Sequence, residues 1–386
     1  MMCKLLDICE FVKGKVAVSN LTKTNYISTE NMLPNRGGIV EATTLPSVDT
    51  TQTYSKGDIL VSNIRPYFKK IWFATTSGGC SNDVLVFRAK KEVNPFYLYY
   101  ILSDDRFFNY ATATSKGTKM PRGDKIAIMN YEIEKHSRSE QDVIASILRP
   151  IDEKIALNRE INNNLEQQTQ LLLSSWLSNN QAEADEVTLG DVCSKVTDGS
   201  HYSPKDDITS TIPMLSVKDM GTYDFDLGSC KHISEEDYAQ MVANDCVPLV
   251  NDILVAKDGS YLKEIFICNE RRKLAILSSI AIFRPNLEKI YPEILLAFLK
   301  TPSVLREVKE NYVSGSALPR IVLKDFKKLR FKLPHIAKQH ELANILSSIR
   351  EQIAVNVKQI GNLTALRDTL LPRLMSGELD VSDVEI

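Results

Sequence analysis

The sequence predicts an α+β chain of two similar globular domains separated by two long antiparallel coiled-coil helices, arranged as a pseudo-two-fold internal repeat. Three observations predict this. Gln141–Ser178 lies without a gap on Gln339–Ser376 at an offset of 198, with 14 of 38 positions identical; ordinary residue usage would give about two or three. "GDILVSNIRPYFKKIWF" (57–73) lies on "NDILVAKDGSYLKEIFI" (251–267) at an offset of 194. The pair Pro121-Arg122 returns as Pro319-Arg320, again 198 residues on.

The elements follow in order. Residues 1–138 form the first domain. It opens with "LLDIC" (5–9), echoed by "LGDVC" (189–193). The 57–73 segment reads as strand, polar turn and second strand. "NPFYLYYIL" (94–102), like "YPEILLAFL" (291–299), reads as a helix with proline in its first turn. The domain closes in the polar loop "TSKGTKMPRGDK" (114–125). Residues 139–182 form the first rod. Steps of four and three select Ile144, Leu148, Ile151, Ile155, Asn158, Asn162, Leu165, Thr169, Leu172 and Trp176, a coiled-coil seam. Ser139 with Asp142 is the expected cap, and Pro150 either kinks the helix or marks its start. Residues 183–335 repeat the domain. Residues 336–386 repeat the rod, from Leu342 through Ile353, Asn356, Ile360 and Arg367 to Leu374, and end in a short tail. About 40 residues of helix span roughly 60 Å. Asn158 and Asn356 fall at equivalent seam positions, where asparagine fixes register; the alternative is a helix-surface asparagine.

Hydrophobic residues make up 43% of the chain, enough for proper cores. No apolar run approaches a membrane span, and no signal segment opens the chain. Seven scattered cysteines without a CxxC pair suit a reduced, cytoplasmic protein. Net charge is −2, but residues 1–138 hold 19 Lys+Arg against 13 Asp+Glu, or +6, and 139–186 hold 3 against 9, or −6. This distribution allows a polyanion partner without requiring one.

Enzyme signatures are missing. There is no GxxxxGK[ST], GxGxxG or HExxH, and the five histidines show no metal spacing. Asn94-Pro95-Phe96-Tyr97 lacks the second proline of an amino-methyltransferase loop. Glu307-Val308-Lys309 has no Pro-Asp partner for a nuclease. Binding remains. The first turn offers Asn63, Arg65, Tyr67 and Lys69, and the second Lys257, Asp258, Tyr261 and Lys263, residue types suited to base edges and phosphates; the alternative is solvated turn residues. In the Pro-Arg loops, Lys116, Lys119 and Arg122 crowd a glycine-containing segment. The second copy keeps Arg320 beside Ser314, Ser316 and Ala317. A shared arginine with divergent neighbours reads as a common phosphate anchor; the alternative is an arginine paired with a nearby carboxylate such as Asp124 or Asp325.

These residues resemble the specificity subunit of type I restriction-modification systems over essentially the whole chain. "KGTKMPRG" with "SEQDVIASIL" is similar to the Gly-x-x-x-Pro-[Arg/Asn] loop and Glu-Gln rod that end each target recognition domain there. "VTDGSHYSPKD" (196–206), which contributes His201 as a further contact candidate, resembles a common opening of such domains. Lys338-Gln339 departs from the commoner Glu-Gln. The resemblance implies a non-catalytic chain that binds double-stranded DNA, each domain reading one half of a bipartite, asymmetric target while the rods set the spacer. It implies two methyltransferase partner subunits docked on the rods, carrying S-adenosylmethionine, and restriction subunits using ATP and Mg, with no cofactor in this chain. The rival reading is a non-catalytic coiled-coil scaffold bridging two proteins without nucleic acid. Steep weakening by salt would mark the DNA reading.

Overall fold

A computed structural model describes residues 2–259, 261–315, 319–381 and 384. The chain divides into two compact units, Met1–Leu157 with Ile360–Ile386, and Asn158–Gln359.

In the first unit a four-stranded antiparallel sheet runs in the order Cys9–Phe11, Val84–Ala89, Ile59–Ser62, Ile71–Phe73. The strand Ile59–Ser62 is buried at every position, as the apolar run Ile59–Val61 requires. A second four-stranded sheet joins Lys15–Ala17, Thr50–Tyr54, Gly78–Cys80 and Tyr26–Ile27. The helix Pro95–Ser103 starts where proline loses nothing, because the first helical N–H has no intrahelical partner. The Asn94 side chain caps it, accepting from Phe96 and Tyr97.

The second unit repeats this plan. Its sheet runs Cys193–Asp198, Ile280–Pro285, Ile253–Ala256, Ile265–Ile267, all antiparallel. The hairpin register is conserved between copies: Ile59 faces Phe73 and Val61 faces Ile71, as Ile253 faces Ile267 and Val255 faces Ile265. Met2–Lys4 pairs with Glu132–Glu134 as Ala184–Thr188 pairs with Arg330–Pro334. The second sheet differs, with three strands instead of four.

The long helices are Arg138–Asn179 and Ile336–Met375. The first runs through Pro150, so it does not begin there. Its cap is also not the expected one. Ser137 and Glu140 form a reciprocal pair, the Ser137 N–H donating to Glu140 and the Glu140 N–H to the Ser137 hydroxyl, while Asp142 accepts from Arg138 and Asn94. Within each unit the helix segments pair antiparallel. Asp152 meets Arg367 in the first unit; in the second, Asn158 donates to Gln359 at 2.8 Å and Asn356 to Asn162 at 2.7 Å. Asn158 is 1% exposed and Asn356 5%. Toward both C-terminal ends the buried position moves by one residue, to Leu173 and Leu371 in place of Leu172 and Leu370. A straight helix at 3.6 residues per turn drifts from a 3.5 repeat, and these leucines join the cores of their units.

Candidate nucleic-acid interface

Each unit fastens its hairpin turn to its Pro-Arg loop, and does so with the same backbone atoms. In the first, the Arg65 N–H donates to the Pro121 carbonyl at 2.8 Å and the Gly123 N–H to the Asn63 carbonyl at 3.0 Å. In the second, Gly259 donates to Pro319 at 2.7 Å and Ile321 to Lys257 at 3.0 Å. The bridge between Ile64 and Arg122 recurs between Asp258 and Arg320. The offsets of 194 and 198 found in the sequence are thus those of one joint built twice.

The first turn is a short 3-10 segment, Pro66–Phe68, bracketed by Arg65 and Lys69 in left-handed conformation at φ 50° and 51°. That region is uncommon for residues with a side chain, and surrounding contacts hold it. Phe68 and Lys69 carbonyls accept the Asn35 and Arg36 N–H groups at 2.9 Å each, and Lys69 and Arg36 both pair with Asp105. In the loop, Lys116 and Arg122 exchange backbone hydrogen bonds at 2.8 and 2.9 Å. Gly117 takes φ 93°, and a Cβ on Gly123 would lie 2.8 Å from Asn63 Oδ1.

The candidate side chains of this unit separate accordingly. Lys116, Lys119, Arg122 and Tyr67 are exposed, and Arg65 and Lys69 half-buried. Arg122 pairs with Asp83 at 3.1 Å and not with Asp124. The Asp124 carboxylate takes Lys116 at 2.5 Å. Lys116 first, then the Ala127 and Ile126 amides, hold that carboxyl below its usual range. Asn63 is 8% exposed and sits under the loop. Its N–H donates to the Asp83 carbonyl and its carbonyl accepts from the Gly123 N–H, which makes its backbone part of the joint.

In the second unit Lys257 is buried as well. It is 7% exposed, and its ammonium is held by Asp198 at 2.5 Å. A lysine so paired cannot reach a phosphate without breaking a buried ion pair. Asp198 also takes His201, which is exposed, at 3.3 Å. Asp258 is largely buried, its side chain 3.9 Å from Lys257, and Tyr261 packs on the core. Lys263 and Arg320 are exposed. Arg320 has no ion pair among the described residues, and Asp325 pairs with Lys328 instead. Ser316 and Ala317 lie outside the described residues; Ser314 pairs with Arg320 in a short strand bridge.

Sequence reasoning missed the charge pairs at the end of the hairpin away from the turn, and the glutamines at the start of each long helix. Arg88 grips Asp58 through two 2.7 Å bonds, and Arg284 grips Asp252 through two of 2.9 Å. The repeated "GD"/"ND" before the hairpin and "FR" in the neighbouring strand carried that signal. Gln141 and Gln339 are buried clamps. Each donates to a carbonyl five residues back and accepts the N–H preceding the proline-started helix, from Asn94 or Tyr291.

Burial pushes the Cys9, Cys80 and Cys193 thiols up to about 12, and the described residues hold no cluster of three metal-ligating side chains. None of the helices described is long and apolar enough to cross a membrane.

The chain matches the family model described as type I restriction modification DNA specificity domain twice, over residues 1–167 and 182–365. It is 26% identical over 336 residues to the type I restriction enzyme MjaIX specificity subunit of Methanocaldococcus jannaschii, covering 80% of this chain and 74% of that one. It is 22% identical over an alignment of 450 residues to the HindI specificity subunit of Haemophilus influenzae, covering 97% and 98%. Among solved structures, the S subunit of a type I restriction-modification system from M. genitalium shares the fold, with a TM-score of 0.54 at 17% identity over 97% of this chain and 96% of that one.

Proposed function

Because this chain belongs to the type I restriction-modification DNA specificity family, we propose that its two units each read one half of a bipartite, asymmetric DNA target. The chain itself is a sequence-specific DNA-recognition subunit and carries no catalysis of its own. Its complex comprises DNA and partner subunits.

The observation that carries the half-site assignment is the doubled joint of turn and Pro-Arg loop. Backbone bonds hold both segments at fixed spacing, and their side chains differ between copies. Arg122 and Arg320, shared by the copies, serve as phosphate anchors, which position without reading sequence. Arg65, Tyr67, Lys69, Lys116 and Lys119 contact the first half-site, and His201 and Lys263 the second. Asn63 and Lys257 support these positions from below. The long helices set the spacer between half-sites and dock two methyltransferase subunits, which supply S-adenosylmethionine, while restriction subunits supply ATP and Mg chemistry. The complex works in the cytoplasm. Asn158 and Asn356 fix the helix register. A scaffold bridging two proteins without nucleic acid has no comparable support.

The test is base-resolution mapping of modified adenine in cells that express this chain with its modification subunit. A single two-part motif with a fixed gap, lost when this chain is omitted, is the expected result. Unmodified DNA in the presence of an assembled, intact partner would refute it.

A further inference from the structure

The tip of the first hairpin carries two aromatic rings outside the core. Tyr67 is 46% exposed and Phe68 38%, with ring centroids 4.7 Å apart and planes tilted by 59°. Cations flank them: the Arg65 guanidinium lies 6.0 Å and the Lys70 ammonium 5.9 Å from the Phe68 ring. Single exposed apolar residues need no explanation. These two adjoin, and the turn that bears them is held in place from two sides. The Asn35 and Arg36 amides fix its carbonyls, the Pro121 carbonyl fixes its first N–H, and Pro66 is buried beside them. The second unit does the opposite at the matching positions, burying Leu262 and packing Tyr261 on its core.

We propose that Tyr67, backed by Phe68, stacks on an unstacked base in the half-site read by the first unit, and that the second half-site is read without such stacking. The proposal rests on the DNA-recognition reading above. An aromatic face accepts any base, since every base has a π-face, and a rigid wedge opens a step most cheaply where the duplex is easily kinked. The flanking Arg65, Lys69 and Lys70 would offset the charge of the phosphates brought close by such a kink. A turn whose backbone is already held before binding loses little freedom when its rings stack.

The experiment uses the full chain assembled with its modification subunits, at saturating protein, on duplexes of the mapped target. 2-Aminopurine replaces each base in turn through both half-sites. The first half-site is the one whose sequence preference shifts when residues 63–67 are altered. A fluorescence rise at one position there, the base left without its stacking neighbour, kept in Tyr67→Phe and lost in the double variant Tyr67→Ala/Phe68→Ala, is expected. Affinity of the double variant falls by about 5- to 150-fold, with the salt slope unchanged because no charge is removed. Extrusion of the target adenine by a methyltransferase also raises the signal, but at the modified base and in all variants alike. A first half-site that stays dark, or a rise that survives in the double variant, overturns the proposal. Loss of specific binding by the unaltered complex would instead overturn the DNA reading on which it rests.

Discussion

Asn356 donates its Nδ2 hydrogen to Asn162 Oδ1 at 2.7 Å, and both side chains are buried in the helix pair of the second unit. A hydrogen bond between buried amides contributes little net stability, but breaking one side leaves the other unsatisfied. Asn162→Leu alone should therefore destabilise the unit by about 1–3 kcal/mol, and Asn162→Leu with Asn356→Leu should recover at least half of that loss. Thermal unfolding of the four chains of this cycle measures it. A single variant as stable as the parent would refute the coupling.

Arg122→Ala and Arg320→Ala should each weaken binding to every DNA sequence and lower the salt slope by about one, leaving the methylated motif unchanged. Titrations at several salt concentrations, with motif mapping alongside, test this. A changed motif at full affinity would mean that these arginines read bases.

Substitutions in the turns act differently. Changes within 63–67 should alter one half of the motif, and changes at His201 or Lys263 the other. Mapping the motif of each variant decides the matter, and a change in both halves from one variant would rule out independent half-site reading.

Gln339→Ala removes the partner of the Tyr291 N–H and of the Lys289 and Pro334 carbonyls. A cost of about 1–3 kcal/mol is expected for the buried groups so exposed. Amide hydrogen exchange should accelerate first at Tyr291. Uniform acceleration across the second unit would point to global unfolding instead of a local clamp.

Lys195, with help from Arg284 and against partial burial, holds the Asp245 carboxyl below its usual range. A carboxylate with a lowered folded-state pKa contributes stability above the unfolded value of about 3.9 and loses it as pH falls through the folded value. The stability gap between the parent and Asp245→Asn should be constant from neutral pH to about 5 and close below about 4. Acid unfolding followed by circular dichroism would show the two curves converging; a gap that widens in acid would reverse the sign.

Much of the architecture was legible because it is written twice. Strand, turn and helix starts depend on local patterns, and their recurrence at 194 and 198 residues located them. The helix cap was misplaced by two residues because Ser137 and Ser139 look equally suitable, and only geometry shows Glu140 reaching Ser137. The site was less legible. Lys257 reads as a solvated turn lysine until Asp198, 59 residues away, is brought to it. Asn63 has the chemistry of a base contact but lies beneath a loop that begins some 50 residues later. Long-range burial is what a single sequence hides best.

The joint between turn and loop has one more consequence. Its bonds join main-chain N–H and carbonyl groups, which every residue except proline offers in full. Such a fastening is indifferent to the side chains it carries, apart from Gly123, where a Cβ would strike Asn63, and the proline whose carbonyl it uses. Turn and loop can therefore diversify, or be exchanged between related chains, while the seat that receives them stays the same. A lineage could acquire a new target by shuffling short cassettes, and a laboratory library restricted to those cassettes would sample new recognition without first having to rediscover a fold.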